Sequence, residues 1–176
     1  IVDRFTAAHR ACFGPSRAAA RLEGSKAYTK DFLQRHHIPT AGYAAFTAGS
    51  FDPDYIRAQR LPIVVKADGL AAGKGVVICE THEAAIAAAT DMLGGSFGAA
   101  GNTVVVEEFL RGEECSVHAL VDGKTALLFP GAQDHKQALD GDRGPNTGGM
   151  GTYSPAPILT AELQQRVREQ VLEPFL

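Results

Sequence analysis

What the sequence has little of sets the first limits. Cysteine is scarce: Cys12, Cys79 and Cys115 are an odd number with no CxxC pair among them, which argues against a disulfide framework or a zinc cluster and fits a reducing cytoplasm. No apolar run approaches the roughly 18–20 residues needed to span a bilayer, and no signal-peptide pattern is visible. A cytoplasmic protein with no membrane partner is expected. Nor is there an excess of one charge. With 17 Lys and Arg against 20 Asp and Glu, the net charge of -3 gives no global pull toward nucleic acid, so any anion site must be local. The six histidines show no HExxH or paired metal spacing, and only His135 falls near other reactive groups.

What is present reads as a folded α+β chain. Its 176 residues are 45% hydrophobic and 21% charged, which disfavours wholesale disorder and a coiled coil. The chain opens at Ile1 without methionine and stops at Leu176 just after Glu173-Pro174, and is expected to be a piece of a longer protein. Glycine is clustered: 12 of the 19 lie in residues 69–75, 94–101 and 141–151, the pattern of backbone that turns sharply or lies against a ligand.

Short helices are predicted over Val2 to Cys12 and Ser16 to Leu22, and a third from an N-cap at Ser25, carrying Tyr28, Phe32 and Leu33. A strand over Tyr43 to Phe46 and a short helix from Asp52 to Gln59 follow. Pro62 to Lys66, Gly75 to Cys79 and Thr103 to Leu110 read as strands rich in β-branched residues. Thr81 caps a helix running to Met92 that Gly94-Gly95 ends. Val117 to Val121 and Thr125 to Phe129 pair across Asp122-Gly123. Residues 131–151 read as one long polar loop, and a last helix starts at Thr160. The order is α+β rather than a repeating parallel βαβ series.

Three segments carry chemistry. Lys66 ends an apolar strand and is followed by a glycine loop with a second lysine, Lys74, a combination suited to a polyphosphate. It is not a P-loop, because Asp68 stands where the first glycine belongs and Gly75 follows Lys74; a solvated hairpin turn is the plainer alternative. The second segment, Val104 to Leu110 followed by Gly112-Glu113-Glu114, offers strand backbone, apolar walls and carboxylates, as a nucleoside requires. A strand with a charged exit would look the same. The third runs from Gln133-Asp134-His135-Lys136 through Asp140, Asp142 and Arg143 to Asn146-Thr147-Gly148-Gly149-Met150-Gly151, and is either an ordered substrate loop or disordered. Its carboxylates lack EF-hand spacing.

Taken together, Gly24-Ser25-Lys26, Ile63 to Val76, Glu107-Glu108-Phe109-Leu110 with Gly112-Glu113-Glu114, and Gln133 to Lys136 through Gly144 to Gly151 resemble the phosphoribosylamine–glycine ligase family of ATP-grasp enzymes in purine biosynthesis, over about residues 14–174. The resemblance implies a partial ATP-grasp fold: an N-terminal helical segment over 1–43, a small lid subdomain over 44–112, and the start of a larger, truncated subdomain over 113–176. It implies that Lys26 and Lys66 contact ATP phosphates, that Gly69, Gly73, Lys74 and Gly75 belong to the loop covering them, that Glu107, Phe109 and Leu110 form the hinge at adenine, and that Glu114 binds ribose. Asp134, His135, Lys136, Asn146, Thr147, Gly148, Gly149 and Met150 match the part facing glycine and 5-phosphoribosylamine. ATP with Mg²⁺, or alternatively Mn²⁺, is the implied cofactor set. The metal ligands are expected beyond Leu176, so the isolated chain is expected to be inactive, and no catalytic residue is assigned. Another ATP-grasp carboxylate–amine ligase is disfavoured by the Asp134 to Gly151 motif. A catalytically silent nucleotide-binding module is the reading from a different class.

Overall fold

Runs of β-branched residues form the central sheet of the structure, a computed structural model that describes residues 1–71, 75–141 and 143–176, with Pro145 and Asn146 described by their backbone. The chain divides into two compact units, Ile1–Arg35 with Thr40–Leu110, and His36–Pro39 with Arg111–Leu176.

The first unit contains α1 (Val2–Ala7), α2 (Arg21–Gly24), α3 (Lys26–Arg35), β1 (Tyr43–Thr47), α4 (Pro53–Arg57), β2 (Ile63–Ala67), β3 (Val76–Cys79), α5 (His82–Asp91) and β4 (Thr103–Glu108). Its four strands lie in the order β1-β4-β2-β3, and every neighbouring pair is antiparallel. The antiparallel sheet fits the α+β expectation. Side chains alternate across it. Ile63, Val65 and Ala67 of β2 and Val104 and Val106 of β4 point to one face, where they are fully or almost fully buried against Phe46, Ile56, Cys79, Ala85, Ala89 and Met92. Phe46 meets Phe51 and Tyr55 edge-on at centroid distances of 5.9 and 5.4 Å. Small residues at Ala85 and Ala89 let α5 lie close to β2 and β3. The opposite face carries Val64, Lys66, Val105 and Glu107.

Two helices start at side-chain caps, Thr81 as expected and Asp52 in addition. Thr81 Oγ1 accepts from Ala84 N at 3.1 Å and Asp52 from Asp54 N at 2.9 Å, each satisfying an orphan donor of the first turn. The expected helix over Val2 to Cys12 is shorter, closing at Ala7, with His9 at φ 54 turning the chain. The helix expected at Ser16 starts only at Arg21. Residues 1–35 belong to the first unit. The first turn of α3 is bonded to Asp68 and Lys30 reaches Glu107, which ties this stretch to the sheet.

The second unit contains β5 (Ala119–Val121), β6 (Ala126–Leu128), β7 (Gln133–Asp134), β8 (Gln137–Leu139), β9 (Arg143–Asn146), β10 (Thr152–Tyr153), α6 (Ala161–Val167) and α7 (Glu173–Phe175), the last two joined by a wider helical turn at Arg168–Leu172. β5 and β6 form the expected hairpin, with Ala119 opposite Leu128 and Val121 opposite Ala126. Asp122 builds its turn by accepting from Lys124 N at 2.9 Å and Thr125 N at 2.8 Å. Those two N–H groups, Lys124 first, hold its carboxyl below the usual carboxylate value. Residues 131–151, expected to be one loop, instead contribute to two small ribbons, β7 with β10 and β8 with β9. Strands of two to four residues show too little alternation to be read in advance. Among the described residues, no helix is long and apolar enough to cross a membrane.

Candidate functional site

The polar face of the first sheet is built around one carboxylate. Val64 lies opposite Glu107, and Lys66 opposite Val105, across β2 and β4, so Lys66 and Glu107 are diagonal neighbours on the same face and within side-chain reach. Lys66 Nζ donates to Glu107 Oε2 at 2.9 Å. From the other side α3 brings Lys30, whose Nζ lies 3.2 Å from the same oxygen. Glu107 is 6% exposed, Lys30 11% and Lys66 26% in their side chains, so the carboxylate is nearly closed off while Lys66 still reaches solvent.

A cavity of about 460 Å³ opens on this face, with Lys26, Lys30, Lys66, Glu107, Thr29 and Leu70 in its lining. Helical spacing accounts for α3's share. Lys26, Thr29, Lys30 and Leu33 follow an i, i+3, i+4, i+7 stripe. Three ammonium groups meet two carboxylates, Glu23 and Glu107, in this lining. Such a surplus of positive charge, partly shielded from water, suits an anion with several oxygens. A cleft of about 530 Å³ near the N-terminus, lined by Asp3, Ser16, Arg17, Ala18 and Arg21, brings together none of the predicted site residues.

The first turn of α3 and the chain after β2 are locked reciprocally. Ser25 Oγ accepts from Tyr28 N at 3.1 Å as the expected cap and donates to both carboxylate oxygens of Asp68 at 3.0 Å. Asp68 Oδ1 also accepts from Ala27 N at 2.6 Å, placing negative charge at the helix N-terminus. In return Lys26 Nζ donates to the carbonyls of Ala67, Asp68 and Gly69 at 2.9, 3.3 and 3.1 Å. Two predicted loop glycines have packing reasons for being glycine. A Cβ on Gly69 would stand 2.9 Å from Ala100, and one on Gly75 would stand 2.6 Å from the Ala71 methyl. Gly73, Lys74 and Asp142 lie outside the described residues.

The structure brings Lys26, Lys66 and Glu107 onto one cavity. Leu110, 66% exposed, closes this unit's chain two residues past β4, with the half-buried Phe109 before it. Lys30 is the residue that sequence reasoning missed. Its signal was present: a lysine four residues after Lys26, on a helix whose opposite positions carry Tyr28 and Phe32.

The remaining predicted residues belong to the second unit, where the backbone gathers them. His135 N donates to Gly151 O at 3.0 Å, Met150 N to His135 O at 2.7 Å, and Thr147 N to Lys136 O at 2.7 Å. Thr147 Oγ1 also donates to Lys136 O at 2.9 Å and accepts from Gly149 N at 3.1 Å. Residues 133–136 and 147–151 thus fold on each other, with Gly148 exposed between them. Asn146 lies opposite Gln137 in the β8–β9 ribbon; its side chain is outside the description. Lys136 Nζ stands 3.4 Å from Glu114 Oε2 and 3.8 Å from Asp134 Oδ2. The His135 ring lies 5.6 Å from that of Tyr153, whose hydroxyl donates to Gln133. Among the described residues, no group of three His, Cys, Asp or Glu side chains is arranged to hold a metal ion.

Comparison with known proteins extends this geometry. A family model described as phosphoribosylglycinamide synthetase, ATP-grasp (A) domain, matches residues 24–176. The phosphoribosylamine–glycine ligase of Yersinia pestis is 57% identical over 175 residues, covering 99% of this chain and 41% of the relative. The crystal structure of phosphoribosylamine–glycine ligase from Thermotoga maritima superposes with a TM-score of 0.77 at 38% identity, over 92% of this chain and 42% of that one. Carboxyaminoimidazole ribonucleotide synthase from Aspergillus clavatus, solved in complex with ATP, shares the fold at a TM-score of 0.71 and 16% identity, covering 99% of this chain and 42% of that one. The chain spans about two fifths of the length of the relatives it matches. A partial ATP-grasp fold and a match over most of its length place the chain in the phosphoribosylglycinamide synthetase ATP-grasp (A) domain family.

Proposed function

We propose that this chain supplies the nucleotide-binding part of an ATP-dependent ligase that joins glycine to 5-phosphoribosylamine to form glycinamide ribonucleotide. The observation that carries this reading is the meeting of Lys26, Lys30 and Lys66 on one cavity, in a chain 57% identical to a protein named for that reaction. The ATP seen in the Aspergillus clavatus neighbour supports the same class of ligand.

In this reading residues 44–112 are the lid, and the phosphates of ATP are held by Lys66 and by Lys26, which exchanges its carbonyl partners for them, while Gly69 and Gly75 let the backbone come close. Gly73 and Lys74, outside the described residues, are assigned to the same covering role. The end of β4, with Glu107, Phe109 and Leu110, borders adenine, and Glu114 serves the ribose. Asp134, His135, Lys136, Asn146, Thr147, Gly148, Gly149 and Met150 face glycine and phosphoribosylamine.

The chemistry asks the protein for position and charge. A glycine carboxylate oxygen attacks the γ-phosphorus, the bond to the β–γ bridging oxygen breaks, and ADP departs, leaving glycyl phosphate. The amine of phosphoribosylamine then attacks the acyl carbon, phosphate leaves with the bonding pair, and the nitrogen loses a proton. Neither step needs a nucleophile from the protein. Ammonium groups that neutralise the transferring phosphoryl and a closed site that aligns the reactants supply most of the acceleration. A divalent cation, Mg²⁺ or Mn²⁺, would add neutralising charge at the phosphates; among the described residues no group of three His, Cys, Asp or Glu side chains is arranged to hold it.

The test is amide formation by the full-length protein from ATP, glycine and phosphoribosylamine, followed as phosphate release that depends on both co-substrates. Release with both present and none without glycine is expected. ATP binding without turnover would point instead to a silent nucleotide-binding module.

A further inference from the structure

Three lysines face the cavity, but their ammonium groups are committed differently. Lys30 is buried; its Nζ donates to Thr40 Oγ1 at 2.8 Å and Ala41 O at 3.2 Å and forms an ion pair with Glu107 Oε2 at 3.2 Å. Two hydrogen bonds and an ion pair hold Lys30 where it stands, and the three donors of Lys26 are taken by the carbonyls of Ala67, Asp68 and Gly69. Its ring contact with Tyr43, at 5.7 Å, closes the site further. Lys66 is the reverse. Among the described residues Glu107 is its one acceptor, at 2.9 Å, which leaves two donors unspent on an ammonium that lines the cavity.

We propose that Lys30 is a positioning residue, the permanent counter-ion of Glu107 that frees Lys66 to leave for the nucleotide phosphates. The inference rests on the reading of the cavity as an ATP site and adds what makes Lys66 available there. A carboxylate as buried as Glu107 cannot lose its only cation without a large desolvation cost. With Lys30 fixed on the same oxygen, Glu107 keeps a partner when Lys66 swings toward the ligand. Without Lys30, Lys66 becomes the sole counter-ion, and every phosphate contact it makes competes with that pair. Lys30 touches no ligand in this scheme; its effect reaches ATP through Glu107 and Lys66.

The experiment compares ATP titrations of the full-length protein and its Lys30→Gln, Lys30→Arg, Glu107→Gln and Lys30→Gln/Glu107→Gln variants. Lys30→Gln is expected to weaken ATP binding by about tenfold or more, from loss of a buried charge partner. Lys30→Arg keeps the charge and most of the affinity. Glu107→Gln alone reads whatever affinity the adenine edge loses, and adding Lys30→Gln to it is expected to cost little more, because Lys66 no longer has a carboxylate to hold it. A Lys30→Gln loss that disappears on the Glu107→Gln background is the signature of charge balance, since a lysine that merely packs would cost the same on either background. Unchanged affinity in Lys30→Gln, or an equal loss on the Glu107→Gln background, overturns the proposal. Thermal unfolding of the same set gives a second readout should Lys30→Gln fold poorly: the neutral pair in the double variant is expected to melt above the single, and a melt no higher counts against the pairing. Absence of ATP binding by the unsubstituted protein would instead sink the reading of the cavity, while the unfolding comparison still judges the Lys30–Glu107 pair.

Discussion

Glu107 and Glu114 each meet a lysine, one in each unit, and the two pairs have little else in common. Glu107 is 6% exposed, sits on a regular strand and shares one oxygen between two ammonium groups. Glu114 is 76% exposed, lies outside the strands, and faces Lys136 at 3.4 Å. Sheet register and helical spacing hold the first cluster before any ligand arrives. The second is held by its backbone, through Thr147, Met150 and His135, and leaves Glu114 and Lys136 exposed. A pre-formed cluster suits a ligand whose charge is always the same, such as a polyphosphate. An exposed one leaves side chains free to rearrange around smaller substrates.

The sharpest way to break that contrast is to remove each carboxylate. Glu107→Ala leaves Lys30 buried without a counter-ion and is expected to destabilise the first unit by about 3–5 kcal/mol. Glu114→Ala removes an exposed pair and should cost less than about 1 kcal/mol. Thermal unfolding of the two variants, side by side, checks the order. Equal losses would mean that burial does not separate the clusters.

The same contrast explains what could be read in advance. β2, β4, α5 and the cap at Ser25 were legible because β-branched alternation and capping residues act locally. Lys30 was not, because a lysine at helical spacing looks like a solvated charge until the sheet register places Glu107 beneath it. The ribbons within 131–151 were not, because two-residue strands such as Gln133–Asp134 form through distant partners rather than through any pattern of their own. The tie between residues 1–35 and the sheet was not legible because its bonds, from Ser25 and Ala27 to Asp68, join positions more than 40 residues apart.

A smaller effect probes the apolar face of the same sheet. Burial, with the Glu80 carboxylate beside it, pushes the Cys79 thiol up, so less thiolate is present at mildly alkaline pH. Cys79, 2% exposed, is expected to react with iodoacetamide more slowly than Cys12 or Cys115 in the folded protein, and at a similar rate to them once unfolded. Mass mapping over time reads both conditions. Equal rates in the folded protein would mean that the core packed on this face opens readily.

The central claim is that the lysines gathered on the polar face of the first sheet form an ATP site in which Lys66 is the ammonium free to bind. Calorimetric titration of ATP into the full-length protein and its Lys66→Ala variant tests this most directly. Binding weakened by about tenfold or more, with the fold retained by circular dichroism, is the predicted result. Unchanged ATP affinity in a folded Lys66→Ala variant would contradict it.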